Sequence, residues 1–128
     1  KRAIVDQYLE WNQYHYRTSI LPPVHAKLMK LRTHQEYPED LQLKHTHMRE
    51  WALETLEKIL QQHPGDFVAG EDMTIADLQL FFESTDLVLL RFELDQYPNV
   101  KKWYAKVAEQ KGVKETMEKW TAAVTGFI

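Results

Sequence analysis

Asp66-Phe-Val-Ala-Gly-Glu-Asp-Met-Thr-Ile-Ala-Asp-Leu78 is the stretch that decides how this chain folds. Thr74 stands at an N-cap position, where its hydroxyl can accept from the amide three residues on. Asp77 occupies that third position, and its carboxylate can reach back to the Thr74 amide to complete a capping box. Met73 and Leu78 flank the box at the positions of a hydrophobic staple. Gly70 permits the tight approach that feeds the cap. A helix is therefore expected over residues 74–92.

The residues that follow the cap are Ile75-Ala-Asp-Leu-Gln-Leu-Phe-Phe82 and then Leu87-Val-Leu-Leu-Arg-Phe92, apolar on nearly every face. A helix hydrophobic all round is either a membrane span or the buried centre of a helical domain. Glu83, Asp86 and Arg91 interrupt it, and no run approaches the ~20 apolar residues needed to cross a bilayer. It reads as a central core helix with others around it.

Outward from this helix the pattern stays helical. Residues 2–19 place Val5, Tyr8, Leu9, Asn12, His15, Tyr16 and Ser19 on one face, and Ile4, Trp11, Tyr14 and Thr18 on a second. Pro22-Pro23 is expected to stop or kink this helix, with a short piece continuing to about Leu31. Residues 33–38 read as a loop, and Glu39 and Asp40 suit the first turn of the next helix. That helix carries Leu41, Met48, Ala52, Thr55, Leu56 and Ile59 and ends before Pro64-Gly65. Beyond a turn at residues 95–98, Val100, Trp103, Tyr104, Val107 and Ala108 follow helical spacing without a miss. Val113, Met117, Trp120 and Val124 mark a last helix. No segment longer than a few residues alternates with period two. The expected fold class is all-α, five to six helices around a central buried helix, with residues 1–128 forming one domain.

Composition narrows the function classes. The chain has 128 residues, 16 basic and 19 acidic, for a formal charge of −3. It carries no basic excess of the kind that marks nucleic-acid binding and no membrane segment. Cysteine is absent, which excludes disulfides, thiolate catalysis by these residues and Cys-based zinc sites. Six histidines are present, but His45 and His47 are two apart and point in different directions on a helix. No His-Glu-x-x-His or comparable set occurs, so no metal site is expected. The second face of the first helix leaves two readings open: it packs under the Pro22 region or the C-terminal tail, or it serves a partner or ligand. Asp6, near the start of that helix, is favoured by the helix dipole whatever else it does.

Phe67-Val-Ala-Gly70 followed by Met73-Thr-Ile-Ala-Asp-Leu78 resembles the signature of the cytosolic glutathione transferase C-terminal domain. Tyr97-Pro-Asn-Val-Lys-Lys-Trp103 resembles a later helix start in that family, and residues 2–11 resemble the first helix of its theta-class and delta-class members. The resemblance implies the helical half of a cytoplasmic two-domain enzyme, with a thioredoxin-like domain expected upstream of Lys1. That upstream domain would hold most of the glutathione site and the catalytic hydroxyl, so no catalytic residue is assigned here. By position, Asp6 is implied to contact the amino group of glutathione. Trp11, Tyr14, His15 and Thr18 are implied to line the pocket for a hydrophobic electrophile. No cofactor is implied beyond glutathione as co-substrate, and the full-length form is expected to be a homodimer. The competing implication is a non-catalytic interaction module of the kind found in translation-factor and tRNA-synthetase complexes.

Overall fold

The computed structural model describes residues 1–89 and 91–126. Leu90, which falls within the helix expected over residues 74–92, lies outside the described residues. Six α-helices and one π turn are present among them: α1 Arg2–Trp11, the π turn Asn12–Tyr16, α2 Arg17–Thr33, α3 Glu39–Gln62, α4 Ile75–Leu89, α5 Pro98–Ala108 and α6 Lys111–Val124. The first three run together as one rod, giving five rods in all. No described helix is long and apolar enough to cross a membrane. The all-α expectation holds.

The π turn solves a spacing problem posed by the sequence. Tyr8, Asn12, Tyr16, Ile20 and Val24 are all buried, one every four residues. In a regular α-helix each four-residue step overshoots a full turn by about 40°, so such a row would wind off the core. Between Asn12 and Arg17 the hydrogen bond spans five residues, with the Arg17 amide donating to the Asn12 carbonyl. This wider turn takes back part of the drift. His15, which plain helical spacing puts on one face with Tyr8, Asn12 and Tyr16, is exposed where they are buried. A 3.6-residue period cannot anticipate a local change of period.

Of the stop or kink expected at Pro22-Pro23, the stop does not occur: both lie inside α2. Lacking N–H groups, they deprive the Thr18 and Ser19 carbonyls of their usual partners. Burial of Ile20, Pro23 and Val24, where α2 packs on α3 and α4, offsets that loss. The helix ends at His34, which takes a left-handed conformation with φ 56°, and the chain re-enters α3 after Pro38.

At the predicted cap, Asp77 is fully buried and its carboxylate accepts four hydrogen bonds. Oδ2 receives the Thr74 amide at 2.8 Å and the Thr74 hydroxyl at 3.1 Å. Oδ1 receives the Val68 amide and the Trp103 indole N–H, each at 2.9 Å. The backward half of the box is therefore present, but the forward half is not. The Asp77 amide donates to the Thr74 carbonyl at 3.1 Å, while the Thr74 hydroxyl serves as a donor to Asp77. Met73 and Leu78 both pack against the core.

Upstream, Phe67 and Gly70 exchange backbone hydrogen bonds, and Gly70 has φ 133°. The close backbone approach belongs to Gly65, where an added Cβ would overlap the Gly70 carbonyl group.

α4 occupies the centre, against α1, the π turn, α2 and α5. It is not covered all round. Ala76, Leu80, Phe81 and Leu87 are buried, whereas Ile75, Phe82 and Val88 are exposed. The helix also stops earlier than expected, because Arg91 has φ 60° and Arg91 and Phe92 lie beyond it. α5 begins on a cap supplied from elsewhere. Glu57 of α3 accepts from the Asn99 amide at 3.1 Å, the Asn99 side chain at 2.7 Å and the Val100 amide at 2.8 Å. In α6, Val113 is buried and Met117 packs against the core, while Trp120 is exposed rather than in the apolar face.

Asp77→Ala is expected to destabilise the fold by about 3 kcal/mol or more, because buried N–H donors on three segments lose their acceptor at roughly 1–3 kcal/mol each. Thr74→Ala is expected to cost no more than about 1 kcal/mol, near the lower part of the usual range for a cap. Urea unfolding of the two variants checks this; equal losses would show that the local cap, rather than the shared carboxylate, carries the stability.

Candidate functional site

The residues singled out from the sequence sit on the first rod, which α4 holds from beneath. Ser84 donates its proton to the Leu80 carbonyl at 2.7 Å, so the Tyr16 hydroxyl is the donor in its 2.7 Å bond to Ser84. Burial drives the Tyr16 phenol pKa far above its ordinary value, which keeps it a neutral donor. At the next residue the Arg17 guanidinium lies 3.4 Å from the Glu83 carboxylate. These two bonds fix the azimuth of the rod at the π turn.

Trp11 turns toward the core. It is half-buried, its ring centroid 5.3 Å from that of Tyr16, and it packs against the hydrophobic cluster. Truncating it therefore removes core packing along with any ligand contact. Tyr14 is 71% exposed, uncovered by any described residue. Thr18 is exposed, and its hydroxyl donates back to the carbonyls of Tyr14 at 2.9 Å and His15 at 3.1 Å. Its lone pairs, not its proton, face outward chemistry. His15 meets Trp51 of α3 edge-on, centroids 6.2 Å apart.

Trp51 is 49% exposed and is the member of this strip that sequence reasoning missed. The available signal was its place off the apolar spacing of α3. Tyr14, His15 and Thr18 thus form one strip, extended by Trp51 through His15. Asp6 stands apart, eight residues upstream and about 12 Å along the helix axis from Tyr14 at the usual rise. It is exposed, and its nearest ionic neighbour is Arg2, with Nε at 3.8 Å. On the second face Trp11 alone is partly covered, by Tyr16 and the core, while Ile4, Tyr14 and Thr18 are exposed.

A second exposed strip runs along α4. Phe82 and Asp86 face Thr116 and Trp120 of α6 across an open cavity of about 320 Å³. Burial raises the Asp86 carboxyl pKa. Burial also raises that of Glu83, with Arg17 opposing and Asp86 adding to the rise. Among the described residues no three His, Asp or Glu side chains gather in the manner of a metal site.

The chain belongs to the glutathione S-transferase C-terminal domain family, whose profile matches residues 24–119. Among solved structures it is similar to glutathione S-transferase-I bound with lactoylglutathione, at 23% identity and a TM-score of 0.76, covering 88% of this chain and 54% of that one. It is also similar to a glutathione S-transferase from Xanthobacter autotrophicus Py2, at 28% identity and a TM-score of 0.72, covering 87% of this chain and 52% of that one. A glutathione S-transferase from Pseudomonas fluorescens Pf-5 matches at 26% identity with a TM-score of 0.68, over 86% of this chain and 53% of that one. The chain therefore spans about half the length of the structures it matches. Asp6, Trp11, Tyr14, His15 and Thr18 all precede the family-matched segment.

The raised carboxyls make a pH prediction. A carboxyl whose pKa is higher folded than unfolded binds its proton more tightly in the native state. It favours folding at low pH and opposes it as pH rises from the ordinary carboxylate value through the raised one. Asp86→Asn removes that opposition. The variant is expected to melt above the parent at pH 7, and the difference is expected to close by pH 3. Thermal unfolding at both values checks this, and a difference independent of pH would overturn it.

Proposed function

We propose that this chain is the electrophile-pocket and dimerisation domain of a theta- or delta-like glutathione transferase, which adds the glutathione thiolate to hydrophobic electrophiles. The observation that carries the reading is the strip at the π turn. There Tyr14 and Trp51 stand exposed beside His15 and Thr18, an apolar wall with a few polar handles. The glutathione S-transferases of similar fold from Xanthobacter and Pseudomonas support the family, and the class rests on the resemblance of residues 2–11.

In this reading the thiolate forms in the companion domain, where a lowered thiol pKa is the catalytic lever. The new bond joins glutathione sulfur to an electrophilic carbon, and the leaving group departs with the electron pair. This chain contributes position. Tyr14, His15 and Thr18, with Trp11 behind them, hold the electrophile and exclude water around it. The Asp6 carboxylate accepts a charge-assisted hydrogen bond from the glutathione ammonium. Its exposure leaves the carboxylate accessible, and the Arg2 contact at 3.8 Å is loose enough to be exchanged for a ligand. In the full-length form the protein pairs as a homodimer.

Steady-state kinetics of the full-length protein with glutathione and 1-chloro-2,4-dinitrobenzene test the proposal. Asp6→Asn is expected to raise KM for glutathione about tenfold, within the ~1.5–3 kcal/mol of a hydrogen bond to a charged group, with kcat little changed. Tyr14→Ala is expected to alter the ranking of electrophiles while leaving the melting temperature unmoved. A full-length protein that neither turns over nor binds glutathione would move the reading to a non-catalytic interaction module.

A further inference from the structure

The cavity between α2 and α3 carries a charge pattern unlike the rest of the chain. It has a volume of about 240 Å³, and Lys27, Lys30, His45, Arg49, Tyr37 and Phe92 are among its lining residues. The chain as a whole has a formal charge of −3, yet three cations converge here. The one carboxylate in the lining, Glu36, pairs with Lys30. The Lys27 ammonium lies 4.5 Å from the centroid of the Phe92 ring, and the Arg49 guanidinium carbon 4.3 Å from the same centroid. Among the described residues Arg49 makes no ion pair.

Two cations held against one aromatic ring are attracted by its quadrupole and repelled by each other. The repulsion is felt: the Lys27 pKa is lowered, first by burial and then by Arg49 and Arg91. An anion in the cavity that both residues line would add attraction to each. The Arg49 fork suits the oxygens of a phosphate, and a lysine beside it adds a point charge. His45 supplies a further polar group, since its buried Nδ1 has no hydrogen-bond partner among the described residues. The volume is below the ~300–1,000 Å³ of a site for a drug-sized molecule, which selects a small ligand.

We propose that the α2–α3 cavity is a binding site for the phosphate group of a small phosphorylated ligand, gripped by Arg49 and Lys27, whose charges the Phe92 ring helps to hold.

The test is calorimetric titration of the full-length protein with inorganic phosphate, at ionic strength held constant with sodium chloride. Saturable binding at one site per chain is expected. Arg49→Gln and Lys27→Gln should each weaken it about tenfold or more, whereas Lys114→Gln on α6 should not. Arg49→Lys, which keeps the charge but loses the fork, should fall between. Melting curves verify folding of each variant, and phosphate should raise the melting temperature of the parent but not of Arg49→Gln. If Arg49→Gln fails to fold, Lys27→Gln alone decides. Uptake without saturation, heat reproduced by chloride alone, or variants that bind as the parent does would each overturn the proposal.

Discussion

One carboxylate ties the centre of this domain together. Asp77 is fully buried and draws donors from three places: Val68 in the loop before α4, Thr74 immediately ahead of α4 and the indole of Trp103 on α5. A buried carboxylate is tolerable only when its oxygens are saturated with donors, so the positions of Val68, Thr74 and Trp103 are constrained jointly. The Phe67–Gly70 bridge and the close contact of Gly65 with Gly70 bring the loop within reach. α5 then receives a second charged anchor from Glu57 of α3. Two acidic side chains thereby set where two helices begin and how α3, α4 and α5 lie together.

The parts of this arrangement that were legible from sequence are the local ones. Thr74 and Asp77 are three apart, and Val100, Trp103 and Val107 fall on one helical face, so short-range rules find both. The indole that completes the Asp77 site and the glutamate that caps α5 lie 26 and 42 residues away in the chain. No local rule reaches that far. The Pro22-Pro23 pair misleads for a related reason: its cost is local, and the packing of α2 that outweighs it is not. His15 was misplaced because helical periodicity assumes one period throughout.

The same division applies to the functional face. Tyr14, His15 and Thr18 are neighbours in sequence and so share the first rod, although regular spacing alone divides them between two faces. Trp51 joins them from another helix, through a ring contact that sequence does not display. Trp11 faces inward because the rod has been rewound just beyond it. The cluster of Lys27, Arg49 and Phe92 is assembled from α2, α3 and the segment after α4, so its net charge emerges only when the chain folds.

The π turn also determines what kinds of change the first rod can absorb. Such a turn is what an α-helix becomes when it accommodates one surplus residue. Deleting one position between Asn12 and Tyr16 would restore ordinary winding with α1 and α2 close to their present register, whereas deleting one from the regular helix beside it would rotate α1 against α2 by about 100°. Tyr8 would leave the interior, and Asp6 would swing to another side of the molecule. Substitutions in this rod therefore edit what the surface offers, while insertions and deletions edit where it points. Homologous domains that differ by a single residue in this rod, with no π turn to absorb it, would share their chemistry yet aim it in different directions.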